Sequence, residues 1–340
     1  MSVRKLLKVS MAAGLMLWAN ITLHADELSV VTIQPVIRLL AEPARDQDDL
    51  CVWVDPQDAQ RSIVITSDKK AERLLIYDLK GNLLQEIPVD KPGNIDLRQG
   101  VMLGGRERSV VTHTIRSNGF RLQAYEVNPQ TRKLERIDAG ISTIPNYGGC
   151  LYHSPLSKRL YFITTSEETV VGQYELAMNS AGKLTGQLVR EWSIGKCEGA
   201  VADDAAQMLY LGEESKGIWK VGAEPDAATP GKLMVEVGQH GIHGDVEGLA
   251  IMPTGKESGY LIVSDQGRNQ YHVFDRAGEN LHRGVFSLTG VQETDGIEAI
   301  PGDFGSSYPA GLFGCHADGD RCAIVLTSWK SIADALKLQD

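Results

Sequence analysis

The chain has 340 residues, with 44 acidic against 34 basic side chains, and its formal net charge is −10 at pH 7. Nucleic acids bind basic surfaces, so this charge argues against a nucleic-acid partner, and divalent cations suit the chain better. The sequence contains no Gly-x-Ser-x-Gly elbow, Walker loop, His-Glu-x-x-His or dinucleotide fingerprint. Several common enzyme classes are therefore excluded, and any hydrolysis is expected to use activated water.

The N-terminus resembles a secretory signal peptide. Three basic residues fall within the first eight positions, a mostly apolar run covers residues 9–23, and a small residue follows at Ala25. We predict a signal peptide over residues 1–25, whose removal changes the net charge from −10 to −13. The mature domain, residues 26–340, is then periplasmic or extracellular and has no membrane partner. An uncleaved membrane anchor is the alternative.

The chain has five cysteines, Cys51, Cys150, Cys197, Cys315 and Cys322. In an exported chain this odd number indicates at most two disulfides and one free thiol. Cys315 with Cys322 and Cys150 with Cys197 are the candidate pairs, and spacing alone does not establish the pairing. No pair has zinc-type spacing, so structural roles are expected.

Short apolar strands that turn polar recur along the chain with a period of about fifty residues. Six copies begin at Val64, Val111, Ile163, Leu211, Ile262 and Phe313. An aromatic strand follows most of them, marked by Tyr77, Tyr125, Tyr174, Trp219, Phe274 and Trp329. A third series opens each unit, starting at Asp49, Asp96, Tyr147, Glu198, Glu247 and Asp295.

Six such repeats predict an all-β fold, a six-bladed β-propeller with four-stranded antiparallel blades around a central acidic channel. Two sandwich domains are the rival, but they do not explain one period through the whole chain. Residues 30–40 are expected to supply a strand that closes the ring. Only residues 331–338 show clear helical periodicity.

Five of the six opening positions carry a carboxylate, and more acids lie close by at Asp48, Glu213, Glu214 and Asp245. The first strand of each propeller blade lines the channel, so these charges should converge. Their repulsion demands raised pKa values or cations. Calcium is favoured, because it accepts oxygen ligands in irregular cages. Solvated acids at strand ends are the alternative.

Basic and aromatic residues are expected near the same rim: Lys69, Lys70, Arg98, Arg116 and Tyr147. Lysine and arginine beside metal-binding acids form a combination that suits a polyphosphate. A solvated position is an equal alternative for Lys70. For Arg98 the equal alternative is a structural role as the ion-pair partner of the acids. His153 is interpreted as structural.

Segments throughout the chain resemble the β-propeller phytases, in that family's order. They include Asp48-Asp49, Thr66 to Lys70, Asn94 to Arg98, Tyr147 to Ser154, Glu198-Gly199, Glu213-Glu214, Asp245 to Leu249, Ser264 to Gly267, and Glu293 to Gly296. The resemblance implies hydrolysis of phytate, an inositol polyphosphate, assisted by several calcium ions. The small-molecule polyphosphate is then the partner, and we expect a monomer.

By position, the resemblance implies calcium ligands at Asp49, Glu198, Glu247 and Asp295, supported by Asp48, Asp96, Glu213, Glu214, Asp245 and Gln266. The resemblance also implies substrate contacts for Lys69, Arg116 and Tyr147. Lys70, Arg98 and Arg268 are further candidates for substrate contact, and Glu198, Tyr147 and Asp295 are the candidate catalytic residues.

The chain departs from the family at one position. Glu167 stands where the family has a phosphate-binding lysine, and Arg268 is the candidate to compensate. This acid favours an alternative function, a calcium-stabilised propeller that binds a phosphorylated ligand without turnover. A propeller lactonase is a third hypothesis, and the basic rim argues against it.

Overall fold

The computed structural model describes residues 29–41, 45–117, 119–318 and 323–339. The predicted signal peptide and Cys322 lie outside these residues. Within them, six β-sheets form a ring, and each innermost strand packs against the innermost strand of the next sheet. The prediction of a six-bladed β-propeller is confirmed.

Two strands precede the first blade: β1 (Val30–Ile33) and β2 (Ile37–Leu39). The strands of each blade are given from the channel outward. The first blade consists of β3 (Gln47–Trp53), β4 (Ile63–Asp68), β5 (Arg73–Asp78) and β6 (Leu83–Pro88), and the second of β7 (Pro92–Leu103), β8 (Arg106–Ile115), β9 (Arg121–Asn128) and β10 (Lys133–Arg136), with a short β11 (Ile141–Ser142) that also pairs with β9. The third blade consists of β12 (Gly149–His153), β13 (Leu160–Thr164), β14 (Val171–Met178) and β15 (Leu184–Trp192).

The fourth blade consists of β16 (Cys197–Asp203), β17 (Met208–Glu213), β18 (Gly217–Gly222) and β19 (Lys232–Glu236). The fifth consists of β20 (Val246–Pro253), β21 (Gly259–Asp265), β22 (Gln270–Asp275) and β23 (His282–Leu288), and the sixth of β24 (Ile297–Ile300), β25 (Leu312–Ala317) and β26 (Ala323–Ser328). In the described part of the chain, 3₁₀ turns cover Ala59–Arg61, Gln239–Gly241 and Gln266–Arg268, and α1 covers Trp329–Leu336.

The core lies between the blades. Each cluster of buried side chains combines two neighbouring sheets; Ile65 of the first blade, for example, packs in one cluster with Val111 of the second. A blade is therefore covered on both faces, and its middle strands need apolar residues on both sides. All six residues of β4 are accordingly buried. This explains why the sequence shows runs of apolar residues more often than strict alternation.

The N-terminal region closes the ring. β2 pairs antiparallel with β26, so that Ile37 lies opposite Leu326, and it forms the fourth strand of the last blade. The expected closing strand is thus confirmed for Ile37–Leu39. β1 instead adds a parallel fifth strand to the edge of the fifth blade.

The C-terminal helix is confirmed but begins earlier than expected. Trp329, which the sequence pattern placed in an aromatic strand, is the first residue of α1, and that assignment was wrong. Its side chain packs with Ile332 and Ala333 in the cluster between the fifth and sixth blades. Within the described ranges, no helix is long and apolar enough to cross a bilayer.

The described cysteines are core residues. Cys51, Cys150, Cys197 and Cys315 are buried and free. A disulfide between Cys150 and Cys197 is therefore not formed, although both thiols belong to the cluster between the third and fourth blades. They act there as small apolar side chains.

Leu39 of β2 tests the closure of the ring, because its side chain is fully buried between the last blade and the first. We expect Leu39→Ala to lower the free energy of unfolding by about 2–5 kcal/mol, through lost burial and a residual cavity. Val36→Ala is the control, since this neighbouring side chain is 46% exposed, and a change within about 0.5 kcal/mol is expected. Urea unfolding measures both, and equal losses would contradict the role of β2.

Candidate active site

Several inner strands open with the same irregularity. The pairing of the first and second strands skips two residues between Gln47 and Leu50, between Cys197 and Ala200, and between Val246 and Leu249. Each irregularity is a β-bulge, and bulges re-aim side chains at the rims of barrels and near active sites. The first skipped residues, Asp48, Glu198 and Glu247, are carboxylates.

Glycines let these positions approach one another. A Cβ atom at Gly199 would lie 1.8 Å from the backbone oxygen of Glu247, and one at Gly248 would lie 2.3 Å from that of Asp295. Only glycine has room there. Neighbouring inner strands therefore touch at the acidic positions, and they enclose a small cavity lined by Asp48, Asp49, Asn94, Glu198, Glu247, Gly248, Asp295 and Gly296.

Three carboxylates lie close together at this cavity. Oxygen atoms of Glu198, Glu214 and Glu247 all lie within 4.8 Å of one another. Glu214 and Glu247 are 8% and 6% exposed, and Glu214 Oε1 and Glu247 Oε2 are buried without a hydrogen-bond partner. Such orphaned anionic oxygens need a proton or a cation.

Burial and like charge shift the pKa values of this cluster upward. Burial, with smaller contributions from Glu198, Asp295 and Glu214, raises the pKa of Glu247 to about 10. Burial, followed by repulsion from Asp48 and Glu198, raises the pKa of Asp295 to about 8. Without a cation, part of the ring therefore holds protons at neutral pH.

Basic side chains neutralise other members of the ring. Lys69 Nζ lies 2.5 Å from Asp48 Oδ1, and Arg116 donates to Glu198 and, at 3.1 Å, to Asn94 Oδ1. Burial lowers the pKa of Lys69, but the Asp48 carboxylate outweighs it, and the net pKa is raised. Both cations therefore stay charged beside the acidic ring.

Tyr147 lies at the centre of this basic region. The Arg116 guanidinium lies 4.4 Å from the centroid of its ring and Lys196 Nζ lies 5.0 Å from it, which are cation–π distances. Its hydroxyl donates to Glu198, and burial followed by the Glu198 charge raises the pKa of Tyr147 far above its usual value. The phenol therefore remains a hydrogen-bond donor.

Two predicted ring members have structural partners. Asp49 accepts hydrogen bonds from the backbone N–H groups of Leu50 (2.9 Å) and Ile95 (3.0 Å), which joins the first and second blades. Asp96 accepts in the same manner from Leu97 (2.6 Å) and Leu151 (2.7 Å). Asp49 still borders the acidic cavity, whereas Asp96 is absent from its lining.

Arg98 does not reach the channel mouth where it was expected. It pairs with Asp96 at 2.9 Å and with Asp204 at 2.9 Å. These three residues line a second chamber of about 430 Å³ that extends from the ring toward the other end of the channel. Both residues lie further along the inner strand, beyond its bulge, and Arg98 is a structural partner of the acids, which is the alternative that its sequence position left open. The metal role of Asp96 and the substrate contact of Arg98 stay predictions.

The remaining predicted residues lie around the rim. Lys70 points outward, with a side chain 68% exposed, and pairs with Asp46 at 3.1 Å. Gln266 donates to Asp295 Oδ1, while Glu213 accepts from Trp219 Nε1 at 2.8 Å. Asp245 and Arg268 are exposed. The structure therefore joins Gln266 to the acidic cavity and leaves the contributions of Asp245 and Arg268 as predictions.

Sequence reasoning missed three contributors. Lys196 pairs with Glu214 at 2.9 Å. His316 lies buried behind Asp295, whose backbone N–H lies 3.3 Å from its Nδ1. Glu298 lines the second chamber, and its pKa is raised to about 8 by burial and, to a smaller extent, by the charge of Asp96. Of these three residues, only Glu298 could have been found from the repeat pattern, because it follows Ile297 on an inner strand that lines the channel.

The sequence model of the phytase family matches residues 2–339 of this chain. The chain belongs to the phytase family. It is 31% identical over 366 aligned residues to the 3-phytase of Bacillus subtilis strain 168, covering 99% of this chain and 94% of that protein. The resemblance found in the motifs is thereby confirmed, and the chain is a phytase-type hydrolase.

A solved structure of a luciferin-regenerating enzyme also matches this fold. The TM-score is 0.56 at 12% identity, over 87% of this chain and 96% of that one. At that identity the likeness concerns only the propeller fold.

The raised pKa values predict how the stability of this phytase depends on pH without divalent cations. Because folded Glu247 titrates near pH 10 and an unfolded glutamate near pH 4.3, the stabilisation is complete below about pH 4 and is lost as pH rises toward 10. We expect the chelated protein to melt at a lower temperature at pH 8 than at pH 5.5.

Glu247→Gln should reduce that difference, because the amide needs no proton to remain neutral. Glu257→Gln removes an exposed acid and serves as the control. Melting curves in excess chelator at the two pH values measure the effect. If the difference in melting temperature between pH 5.5 and pH 8 is the same in Glu247→Gln as in the wild type, the proposed ionisation is contradicted.

Proposed function

We propose that this phytase is an exported calcium-dependent phosphomonoesterase that hydrolyses phytate or related inositol phosphates. The observation that carries the proposal is the juxtaposition of orphaned buried carboxylate oxygens at Glu214 and Glu247 with Lys69, Arg116 and Tyr147. The name of the Bacillus relative supports phytate as substrate. The signal-like N-terminus supports export.

The acidic cavity suits calcium. Its donors are carboxylate oxygens from several blades, a set that calcium prefers. Glu198, Glu214 and Glu247 would hold one ion; Asp48 and Asp295, with Gln266 beside it, would hold others. Bound calcium would supply Lewis-acid stabilisation of phosphate oxygens and make water a better nucleophile.

The protein side chains bind and orient the phosphate ester. Lys69 and Arg116 now pair with Asp48 and Glu198, and phosphate oxygens can replace those carboxylates as acceptors. The Tyr147 phenol, protonated at any physiological pH, can donate to the same phosphate. These contacts fix the phosphorus beside the acidic cavity without a covalent nucleophile.

Phosphate release from phytate tests the activity. We expect the purified mature protein to release inorganic phosphate with millimolar calcium and to lose this activity in excess chelator. Glu198→Gln should reduce the rate at least a hundredfold, since it removes a central carboxylate of the cavity. Glu191→Gln, which changes an exposed acid of the third blade, is the control and should retain activity.

The same experiment separates the two candidate functions. No release under either condition, from a protein that still binds calcium, would support the phosphate-binding propeller that Glu167 favours. Full turnover in Glu198→Gln would contradict the assigned site.

Calcium should also stabilise the fold, since the carboxylates converge only in the assembled ring. We expect the melting temperature to rise by several degrees in millimolar calcium, corresponding to about 1–2 kcal/mol in a large domain. Differential scanning fluorimetry measures the shift, and magnesium at equal concentration should have a smaller effect. No shift with calcium would indicate that the acids are merely solvated.

A further inference from the structure

Three histidines meet on the fifth blade, outside the acidic cavity. His272 lies on β22 and His282 is the first residue of β23, while His240 belongs to the 3₁₀ turn in the connection from the fourth blade. The centroid of the His282 ring lies 4.8 Å from that of His240 and 5.4 Å from that of His272. The described lining of the acidic cavity includes none of the three. The proposed phosphate chemistry therefore gives this cluster no role.

The sheet places two of these rings on one face. Side chains of a strand alternate between faces, so His272 and Phe274 share a face of β22. Phe274 pairs with His282 across β23, which puts His282 on that face and diagonally next to His272. The turn Gln239–Gly241 adds His240, whose ring stacks on His282 at an interplanar angle of 18°. Two strands and one connection thus collect three imidazoles at one place.

The nitrogens of His272 and His282 are spaced like two ligands of one metal ion. His272 Nδ1 lies 3.3 Å from His282 Nε2. This distance exceeds the value of about 2.9–3.0 Å that is typical of hydrogen bonds from nitrogen donors. Two nitrogens that each lie about 2.0–2.1 Å from a tetrahedral zinc ion are about 3.3–3.4 Å apart. A metal ion can therefore replace the proton between the two rings with little movement of either.

A buried carboxylate lies behind His272. Asp265 Oδ2 is 3.5 Å from His272 Nε2, the ring nitrogen that is not paired with His282. His272 is 1% exposed and Asp265 is fully buried. Among the described residues, neither His272 Nε2 nor Asp265 Oδ1 has a hydrogen-bond partner. Histidine ligands of metals usually direct their second ring N–H at a carboxylate, which fixes the tautomer and makes the ligating nitrogen more basic.

The cluster opens to solvent on the side of His240. His272 is buried, His282 is half-buried and His240 is exposed. An exposed side chain can turn, so His240 can exchange its stacking contact for a bond to an ion held by the other two rings, and water can complete a tetrahedral set. Imidazole nitrogens suit zinc or copper, whereas calcium prefers oxygen. The cluster is therefore selective against the ion proposed for the acidic cavity.

We propose that these three histidines bind one divalent transition-metal ion such as zinc, with Asp265 as the supporting carboxylate. The site requires neither calcium nor a phosphate ester, so it is independent of the proposed function. The ion would join the connection that precedes β20 to the two outer strands of the fifth blade. That connection leads into Glu247, so the ion would fix the backbone that approaches the acidic cavity.

Titration with zinc tests the site in the mature protein, purified without a histidine tag and saturated with calcium. We expect calorimetry to show one zinc ion per chain and the melting temperature to rise by several degrees. His282→Gln should raise the Kd for zinc at least about a hundredfold, since loss of a supporting residue alone costs about 10–100-fold. His240→Gln, which changes only an exposed side chain, should raise it about tenfold or more.

Electron paramagnetic resonance with one equivalent of Cu²⁺ gives a second readout. We expect hyperfine coupling from imidazole nitrogens in the wild type, because copper accepts the same ligands. The coupling should be lost in His282→Gln. A signal from oxygen ligands alone in the wild type would contradict the histidine site.

Two variants serve as controls for zinc binding. His153→Gln removes a half-buried histidine of the third blade, and Glu198→Gln removes a carboxylate of the acidic cavity. Both should bind zinc as the wild type does. Circular dichroism reports whether each variant is folded, and if His282→Gln does not fold, the exposed position of His240→Gln decides.

Three results would overturn the proposal. They are an absence of zinc binding in the wild type, wild-type affinity in folded His282→Gln or in His240→Gln, and a loss of affinity in Glu198→Gln as large as in the histidine variants. The last result would place the ion in the acidic cavity.

Discussion

The site depends on the close contact of neighbouring inner strands at glycine. At Gly199 and Gly248 there is no room for a side chain, because the backbone of the next blade occupies that space. Packing of the blades, rather than attraction among the acids, brings Glu198, Glu247 and Asp295 together. The repulsion is therefore built into the fold, and the favourable packing between blades offsets its cost.

The remaining polar features respond to that charge. Some acids hold protons, as the raised pKa values of Glu247 and Asp295 show. Others form ion pairs with basic side chains. The pairs are Asp48 with Lys69, Glu198 with Arg116, and Glu214 with Lys196. Cations that compete for these carboxylates would free the lysines and the arginine for an anion. In the proposed site, binding of metal and binding of phosphate would thereby be coupled through shared partners.

The sequence determined the architecture well, because each blade forms from neighbouring segments and repeats its pattern. Counting the period placed Glu198, Glu247 and Asp295 correctly at the acidic cavity. It failed at Asp96, which lies beyond the opening bulge of β7 and accepts from the backbone of Leu151, whereas Asn94 is the residue of this strand that borders the acidic cavity. It also missed Lys196, which precedes its strand in a connection that carries no repeat.

The closure of the ring by β2 has a consequence for folding. Its partner β26 is the last strand that the structure describes, so this pairing joins segments that are distant in sequence and requires nearly the whole chain. The acidic cavity takes residues from both the first and the last blade. The cavity is therefore completed only when the whole chain is available, and truncated or half-synthesised chains lack it.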